Sequence, residues 1–540
     1  MIEEKGMQDL ESRLHKKKDE TVKLDVKYAT NTVVRFDSAT GKMVEEQVKL
    51  RSYNGKLMGP LIERRPGDTL LVAISNFLPH EESEHEEPGH EAPEHGESGH
   101  DEPGSDTGHE NGMHGLNTTN LHVHGLHVSP AGNSDNVKVQ IAPGEHFHYE
   151  IKIPNDHPPG TYWYHAHKHG STAVQVASGM AGPLIIRGAI DELPPIRAAK
   201  EHIFFFQEIL FRPGVKDPDD PSQVVNGLDE SDEPFRPGLE GMPSLSTRLG
   251  LRFSVNGEFE PTIHMARGDV HRWRFLHAGA HERLEVRLVS EDDPQKVIPQ
   301  YQIAHDGITT GRLDKVETTE LYSGYRTDVL VHAVEKDGTP LAPGVYLLMD
   351  MKEDADLVPE RRVLARIVVK RWPVRHRRLP TEEELKPHAL PPIELDEDEK
   401  ITEQKVVFSS AIDPATGVAT FLINGKQFDP DDPPLQLKLG RVDRWVITSI
   451  DPALPGNPNA LDHTFHIHVN PFMVEMPDGK VLWKDTIVVL PQQTVKLLTR
   501  YERYIGVFPF HCHILFHEDH GMMQFVEVKE GEANHAPGPH

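Results

Sequence analysis

The sequence predicts an all-β protein made of three consecutive β-sandwich domains. Three observations lead to this prediction: a length of 540 residues, short alternating apolar segments separated by Gly, Pro, Asn and Asp, and a unit that recurs three times. At about 150 residues per domain, the length fits three domains. Alternating segments with few helical stripes are typical of β-sandwiches.

The repeated unit is a turn, an extended segment, a Gly-centred turn and a second extended segment. Its copies lie at 57–74, 255–275 and 423–447. Self-similarity at about domain length indicates that one unit has been used three times.

The predicted organisation adds an extension, a linker and a tail to the three domains. The linker is rich in Pro and charge and is expected to hold one helical turn near residues 381–385. The predicted ranges are 1–22 for the extension, 23–190, 200–372 and 400–530 for the domains, 373–399 for the linker and 531–540 for the tail.

Composition excludes some classes of partner. The formal net charge of −28 argues against binding to a nucleic-acid backbone. No run of 18 apolar residues occurs, so a membrane span is not expected. The first 24 residues are charged and resemble no signal peptide. The chain is therefore expected to be cytoplasmic or spore-associated, or else secreted or periplasmic after removal of a leader.

An unusual segment is expected at 80–115. Between Glu81 and Glu110 it has twelve acidic residues and no basic residue. Such a composition cannot bury enough apolar surface to fold, which predicts a disordered surface insertion. Two interpretations stay open: a solvated acidic loop, or a segment that captures exchangeable copper or another divalent metal. The histidines that recur every five residues are His80, His85, His90, His95 and His100.

Four His-X-His pairs stand out among the 35 histidines. On a strand, both members of such a pair point to one face with Cα atoms roughly 6.6 Å apart, so two imidazoles can reach one metal ion or two adjacent ions. A single pair is weak evidence, but four pairs in β-prone segments indicate a site with several metal ions. The pairs are His122/His124, His165/His167, His466/His468 and His511/His513.

The only cysteine, Cys512, lies inside one of these pairs. The stretch from His511 to Met522 is predicted to be the last strand, with Cys512 turned away from its two histidine neighbours. If residues 463–468 are also extended, His463 likewise points away from His466 and His468. A thiolate, imidazoles and a weak axial thioether are the ligands of a blue-copper centre. The predicted cysteine-side ligands are His463, Cys512, His517 and Met522.

Eight imidazoles face the other side, which is too many for one ion and suits about three copper ions. Zinc is the rival metal, but a zinc site closes with four ligands and gives no use for an adjacent thiolate–thioether centre. A redox site joined through one strand to a metal cluster indicates electron collection followed by multi-electron reduction.

These motifs resemble those of the three-domain multicopper oxidases, which include laccases, bilirubin-oxidase-like enzymes and bacterial copper-tolerance laccases. The matching segments are 122–125, 164–167, 463–468 and 511–522. The resemblance implies three cupredoxin-like Greek-key domains and four copper ions per chain. It implies type 1 copper on His463, Cys512, His517 and Met522, type 2 copper on His122 and His466, and a type 3 pair on His124, His165, His167, His468, His511 and His513.

The resemblance also implies an activity. Phenolic or aromatic amine donors would give single electrons to type 1 copper near an exposed edge of His463 or His517, and O₂ would take four electrons to become water. Glu518 and Asp135 are the expected proton-handling carboxylates. The axial Met522 suggests a lower type 1 potential than an apolar residue would give. One chain completes the site, so a monomer is expected.

Two other functions stay open. A cuprous oxidase in copper tolerance is the main alternative: the histidine insertion favours it, while the absence of a Met-rich cluster favours the laccase-like interpretation. A copper carrier without catalysis would show no oxygen uptake. The remaining singled-out residues are expected to lie outside the metal sites: His169 near the ligands or at the surface, His127, His157 and His520 exposed or hydrogen-bonded, and Met180 and Met523 in the core.

Overall fold

The computed structural model describes residues 20–37, 39–80, 111–220, 222–228, 250–352, 362–395, 399–412, 419–452 and 462–530. Strands dominate these ranges and form six sheets, two for each third of the chain. The prediction of an all-β protein is confirmed. Residues 1–19, the tail at 531–540 and the predicted insertion over 81–110 lie outside the described residues. Among the described residues, no helix is long and apolar enough to cross a membrane.

The first third of the chain forms two sheets around an apolar core that includes Leu24, Val72 and Val123. A short helix, α1 (Thr172–Ala177), precedes its last strand, and α2 (Ala189–Glu192) and α3 (Pro194–Ala198) follow it. The strands are β1 (Val22–Asp37), β2 (Lys42–Tyr53), β3 (Ile62–Arg64), β4 (Thr69–Asn76), β5 (His122–His124), β6 (His146–Lys152), β7 (Gly160–His165) and β8 (Ala181–Ile186).

The second third forms two further six-stranded sheets around Phe204, Trp273 and Phe275. Its strands are β9 (Lys200–Glu208), β10 (Arg212–Lys216), β11 (Val224–Gly227), β12 (Phe253–Val255), β13 (Thr262–Arg267), β14 (Val270–His277), β15 (Leu284–Ser290), β16 (Val297–Ile298), β17 (Gln300–His305), β18 (Ile308–Val316), β19 (Thr318–Leu321), β20 (Arg326–His332), β21 (Gly344–Asp350) and β22 (Val363–Val374). The hairpin β10–β11 joins the first domain instead, because Gly227 pairs with Lys49 of β2.

A connecting segment leads to the last third. It contains one helical turn, α4 (Glu382–Leu385), capped by Thr381, whose hydroxyl accepts the Glu384 N–H, and a 3-10 turn at Lys386–His388. The strands that follow are β23 (Thr402–Ile412), β24 (Ala419–Ile423), β25 (Leu435–Lys438), β26 (Val442–Ser449), β27 (His463–Ile467), β28 (Phe472–Glu475), β29 (Val481–Lys484), β30 (Thr486–Val489), β31 (Thr494–Arg500), β32 (Gly506–Cys512) and β33 (Met523–Lys529), with α5 (Leu515–Asp519) between the last two.

Each domain carries the same Asn-Gly turn, with both residues at positive φ, as a type I′ turn requires. Each Asn side chain also accepts an N–H and donates to a carbonyl of the neighbouring strand. These turns are Asn54-Gly55, bonded to Asp25 and Lys23, Asn256-Gly257, bonded to Phe205 and Ile203, and Asn424-Gly425, bonded to Val407 and Lys405. The first of them lies just before the repeat copy that the sequence suggested at 57–74.

The stretch predicted as the last strand is not one strand. Strand β32 ends at Cys512, α5 follows, and β33 is the last strand. Side chains still alternate between the two faces of the sheet from His511 to His513, because the His513 N–H donates to Thr464 O of β27. The helical turn then brings the chain back, so that the Cys512 N–H donates to Met522 O at 3.0 Å. The prediction of one extended segment was therefore wrong beyond His513.

The end of the predicted insertion is also different from the expectation. Asn111 donates to Phe428 O at 3.0 Å, and the Gly112 N–H donates to Asp519 O at 2.8 Å. Asn111 and Gly112 are thus held against the third domain, and the His114 N–H donates to Gly170 O of the first, so the prediction of disorder was wrong for this end of the segment.

Candidate copper centres

The cysteine-side residues meet inside the third domain. Cys512 Sγ lies 3.7 Å from His463 Nδ1 and 3.6 Å from His517 Nδ1, and all three side chains are buried. Strands β27 and β32 are paired, which places His463 and Cys512 on one face of their sheet. The buried Met522 is next to them through its backbone contact with Cys512. Two imidazole nitrogens around one sulfur are the donor set of a blue-copper site.

Burial raises the pKa of the Cys512 thiol to about 12. A thiol binds metal as the thiolate, so an ion at this position must displace the proton. His517 lies parallel to the Phe421 ring at 3.9 Å between centroids. The site is therefore shielded from solvent, and packing against Phe421 fixes the orientation of the His517 ring.

The far nitrogen of His463 has a partner that sequence reasoning missed. His463 Nε2 lies 2.7 Å from Asp451 Oδ2, and Asp451 Oδ1 accepts the Ser410 N–H at 2.7 Å. His463 and His517 are 0% and 1% exposed. The expectation of an exposed imidazole edge for donors was wrong, because Asp451 and Phe421 cover the two rings.

The eight paired histidines meet where the first domain touches the third. Strand pairing brings the histidine pairs of each domain together, because His122 lies opposite His165 and His466 lies opposite His511. The Nε2 atoms of His167, His468 and His511 lie 3.1–3.2 Å from one another, and His124 Nδ1 lies 3.1 Å from His513 Nε2. All eight side chains are buried. They form several overlapping groups with metal-ligand spacing.

Three inward nitrogens have no hydrogen-bond partner among the described residues: Nε2 of His122, His165 and His466. A buried imidazole nitrogen without a partner is costly. Burial also lowers the pKa of these imidazoles, which keeps them neutral and able to bind a cation. The cluster therefore fits metal ions, and its all-imidazole donor set suits copper.

The outward nitrogens are hydrogen-bonded, which fixes the tautomer and aims the free lone pair inward. The partners are Asp135 for His122 Nδ1, Asp485 Oδ1 for His124 Nε2, Ala166 O for His165 Nδ1, Asp485 O for His466 Nδ1, Cys512 O for His511 Nδ1 and Ser323 Oγ for His513 Nδ1. Asp485 and Ser323 were missed by sequence reasoning. Each is a single polar residue between two strands, with no spacing that would reveal it.

Both predicted carboxylates lie beside the cluster. Glu518 is fully buried, with Oε1 3.4 Å from His167 Nδ1 and Oε2 3.0 Å from His511 Nδ1. Burial raises the pKa of Glu518, and it raises that of Asp135 to about 8. Thr172 donates to Glu518 at 3.2 Å. Each carboxyl group can hold a proton within reach of a cluster imidazole.

The other singled-out residues lie outside these centres. His157 Nε2 accepts the His127 N–H, and the ring nitrogen of His520 lies 2.8 Å from Phe516 O, so these three are hydrogen-bonded as expected. His169 is half-buried against Phe428. Met180 and Met523 are buried, as predicted for core residues.

Comparison with known proteins agrees with this geometry. A sequence model described as multicopper oxidase matches residues 399–532, and a second with the same description matches residues 109–190. The resemblance to the multicopper oxidases is confirmed. Both matched segments carry the histidine pairs, and copper is the metal that this family binds. The enzyme is accordingly a copper-dependent oxidoreductase that uses O₂ and an electron donor.

Relatives of this multicopper oxidase include proteins with two kinds of name. The multicopper oxidase Mco of Staphylococcus aureus is 25% identical over 484 residues, covering 88% of this chain and 83% of the relative. The laccase of Bacillus subtilis is 23% identical over 518 residues, covering 89% and 90%.

Solved structures show the same fold. The laccase of Pediococcus acidilactici aligns with a TM-score of 0.67 at 21% identity, covering 95% of this chain and 90% of that one. A multicopper oxidase of Campylobacter jejuni, described as a metallo-oxidase, aligns with a TM-score of 0.64 at 23% identity, covering 96% and 92%. These structures have three cupredoxin-like domains, which is the architecture predicted here.

Proposed function

We propose that this multicopper oxidase is laccase-like. It takes single electrons from phenolic or aromatic amine donors at a type 1 copper and couples them to the four-electron reduction of O₂ to water. One observation carries the proposal: Cys512 Sγ faces His463 and His517, while His511 and His513 on either side of it face the cluster. The bound copper ions would supply the one-electron redox chemistry.

The proposed ligand sets follow the atoms that converge. His463, Cys512 and His517 would hold type 1 copper, and the buried Met522 would add a weaker thioether ligand. Type 2 copper takes His122 and His466, whose Nε2 atoms have no other partner among the described residues. The type 3 pair takes His124, His165 and His513 for one ion and His167, His468 and His511 for the other. This makes four copper ions per chain.

The chain's own groups serve the reaction in three ways. Cys512 is covalently joined to His511 and His513, which gives a short path between the two centres. Glu518 holds a proton beside His167 and His511, and Asp135 holds one beside His122. Burial of all these side chains excludes bulk water from the site. Since one chain supplies every proposed ligand, a monomer is sufficient.

An absorption spectrum with metal analysis tests the proposal directly. We expect about four copper ions per chain, an intense orange-red band from thiolate–copper charge transfer and a near-ultraviolet shoulder from the type 3 pair. We also expect oxygen uptake with a phenol or an aromatic amine. A colourless protein with full copper loading would contradict the assignment of Cys512.

A cuprous oxidase in copper tolerance is the second candidate. The carboxylates of Asp451 and Asp462 lie on the His463 side of the proposed type 1 site, and such groups favour a cationic donor. Measuring kcat/KM for Cu(I) and for a phenol under the same conditions separates the two. A large preference for Cu(I) would replace the laccase-like proposal.

Replacing Asp451 by Asn should raise the type 1 potential. The carboxylate accepts the Nε2–H of His463, which makes the imidazole a stronger donor and favours the oxidised ion. A neutral amide removes most of this effect, so we expect a rise of about 60 mV, a tenfold change in a one-electron equilibrium. A redox titration of the orange-red band measures it.

Asp443→Asn is the matched control. Asp443 is a buried carboxylate of the same domain, bonded to Gln404 instead of a proposed ligand. Its replacement should leave the potential unchanged, and equal shifts in both variants would show that the Asp451–His463 contact has no special role.

A further inference from the structure

The second domain supplies none of the proposed copper ligands, yet its segment Ser323–Arg326 reaches into the cluster. Ser323 Oγ lies 3.2 Å from His513 Nδ1 and donates to Gly279 O at 2.6 Å. A Cβ at Gly324 would lie 3.2–3.3 Å from His513 and His124, so the absence of a side chain lets the backbone lie against both rings. The segment therefore touches ligands from the first and the third domain at once.

Arg326 is the fully buried end of this segment, and it forms a bidentate ion pair with Asp485 of the third domain. Nη1 lies 2.7 Å from Asp485 Oδ1, and Nη2 lies 2.5 Å from Oδ2. The other N–H groups donate to Thr161 O, Gly324 O and Asp306 O, so all five have acceptors. The guanidinium thus joins all three domains at one point.

Asp485 in turn contacts two proposed ligands, His124 and His466. Its Oδ1 lies 3.1 Å from His124 Nε2, and its backbone oxygen lies 2.7 Å from His466 Nδ1. Each contact holds a hydrogen on the outer nitrogen and leaves the inner nitrogen, Nδ1 of His124 and Nε2 of His466, free for a metal.

The glycine of the first histidine motif makes room for the ion pair. Gly125 has a φ of +87°, and a Cβ there would lie 2.4 Å from Arg326 Nη2 and 2.5 Å from Asp485 Oδ2. Both of these atoms are already fixed by the bidentate contact, so neither can move away without breaking it. The turn after His124 is therefore shaped around the Arg326–Asp485 pair.

We propose that Arg326 is a positioning residue for the oxygen-reducing cluster: through Asp485 it sets the tautomer and orientation of His124 and His466, with Ser323 doing the same for His513. This rests on the proposed function, since it assumes that the cluster holds copper. The second domain would then orient the cluster ligands although it supplies none of them. Buried ion pairs are often no more stabilising than apolar residues of similar size, so stability alone gives little reason for this one.

Arg326→Gln tests the proposal in the full-length, copper-loaded enzyme. We expect the near-ultraviolet shoulder to weaken and the affinity for cluster copper to fall about tenfold or more, as for other residues that orient metal ligands. The orange-red type 1 band should stay, because no described contact links Arg326 to Cys512, His463 or His517. Metal analysis after dialysis against a graded chelator measures the affinity.

Arg274→Gln is the matched control. Arg274 is equally buried between the first and second domains, where it pairs with Asp328 and Glu201 and touches none of the proposed ligands within the described part of the chain. It should lower the melting temperature without weakening the shoulder. Ser323→Ala adds a smaller change: it removes the donor to Gly279 O, so a modest fall in melting temperature is expected, but unlike Arg274→Gln it should also alter the shoulder.

Three outcomes would overturn the proposal. The first is an Arg326→Gln enzyme that keeps wild-type cluster copper and shoulder. The second is an equal loss in Arg274→Gln, which would mean that any buried arginine at this interface matters alike. The third is a wild-type protein without the orange-red band or copper, which removes the proposed function itself and is recognised before any variant is made.

Discussion

Cys512→Ser will remove the orange-red band and donor oxidation together. The band requires a thiolate, and the serine hydroxyl is a poor ligand for copper at this position. The ligands of the cluster lie on the other face of the strand, so about three copper ions and the near-ultraviolet shoulder should remain. The spectrum, metal analysis and oxygen uptake of the purified variant measure these three quantities.

The stability of this variant separates a lost ligand from a lost fold. Cys512 is buried, and a serine hydroxyl without a good partner there costs about 1–3 kcal/mol. A modest fall in melting temperature is therefore expected, with the shoulder intact. A variant that keeps the band, or that loses the shoulder and the cluster copper as well, would contradict the division of the two sites by strand parity.

The histidine cluster could be predicted from sequence because each histidine pair is recognised from a few neighbouring residues. The parity of residues 511–513 depends only on extended backbone, and the same holds for the three other histidine pairs. Residues 515–519 were wrongly predicted as strand because the strand alternation seen at 511–513 was assumed to continue to Met522. Leu515 and Glu518 are good helix formers, and the chain must turn back if Met522 is to reach Cys512.

The partners of the ligands could not be predicted in this way. Asp451, Asp485 and Ser323 are single polar residues that contact His463, His466 and His513 across turns or between domains. Arg326 reaches the histidines only through Asp485. Their role depends on how three domains pack, and no spacing rule describes that packing. The carboxylates near the motifs are different: Glu518 follows the ligand His517 directly, so the resemblance could locate it.

Glu518→Gln should slow the reoxidation of the reduced enzyme by O₂ by about 10²-fold, the lower end of the range for a lost general acid. Glutamine has the size of glutamate and can still accept the Thr172 hydrogen bond, but it cannot give up a proton. Burial raises the pKa of Glu518, which favours the protonated acid that the reaction needs. Stopped-flow mixing of the fully reduced enzyme with O₂ measures the rate, and the orange-red band should be unaffected.

Asp519→Asn provides the comparison for this prediction. Asp519 is the adjacent buried carboxylate of α5, but it accepts backbone N–H groups of Gly170 and Ala173 instead of facing a cluster imidazole. Its replacement removes a buried charge from the same helix and should leave reoxidation within a few-fold of wild type, because no proton moves through it. If Glu518→Gln reoxidises at the wild-type rate, or if both variants slow equally, the proton is delivered elsewhere and Asp135, beside His122, becomes the residue to test.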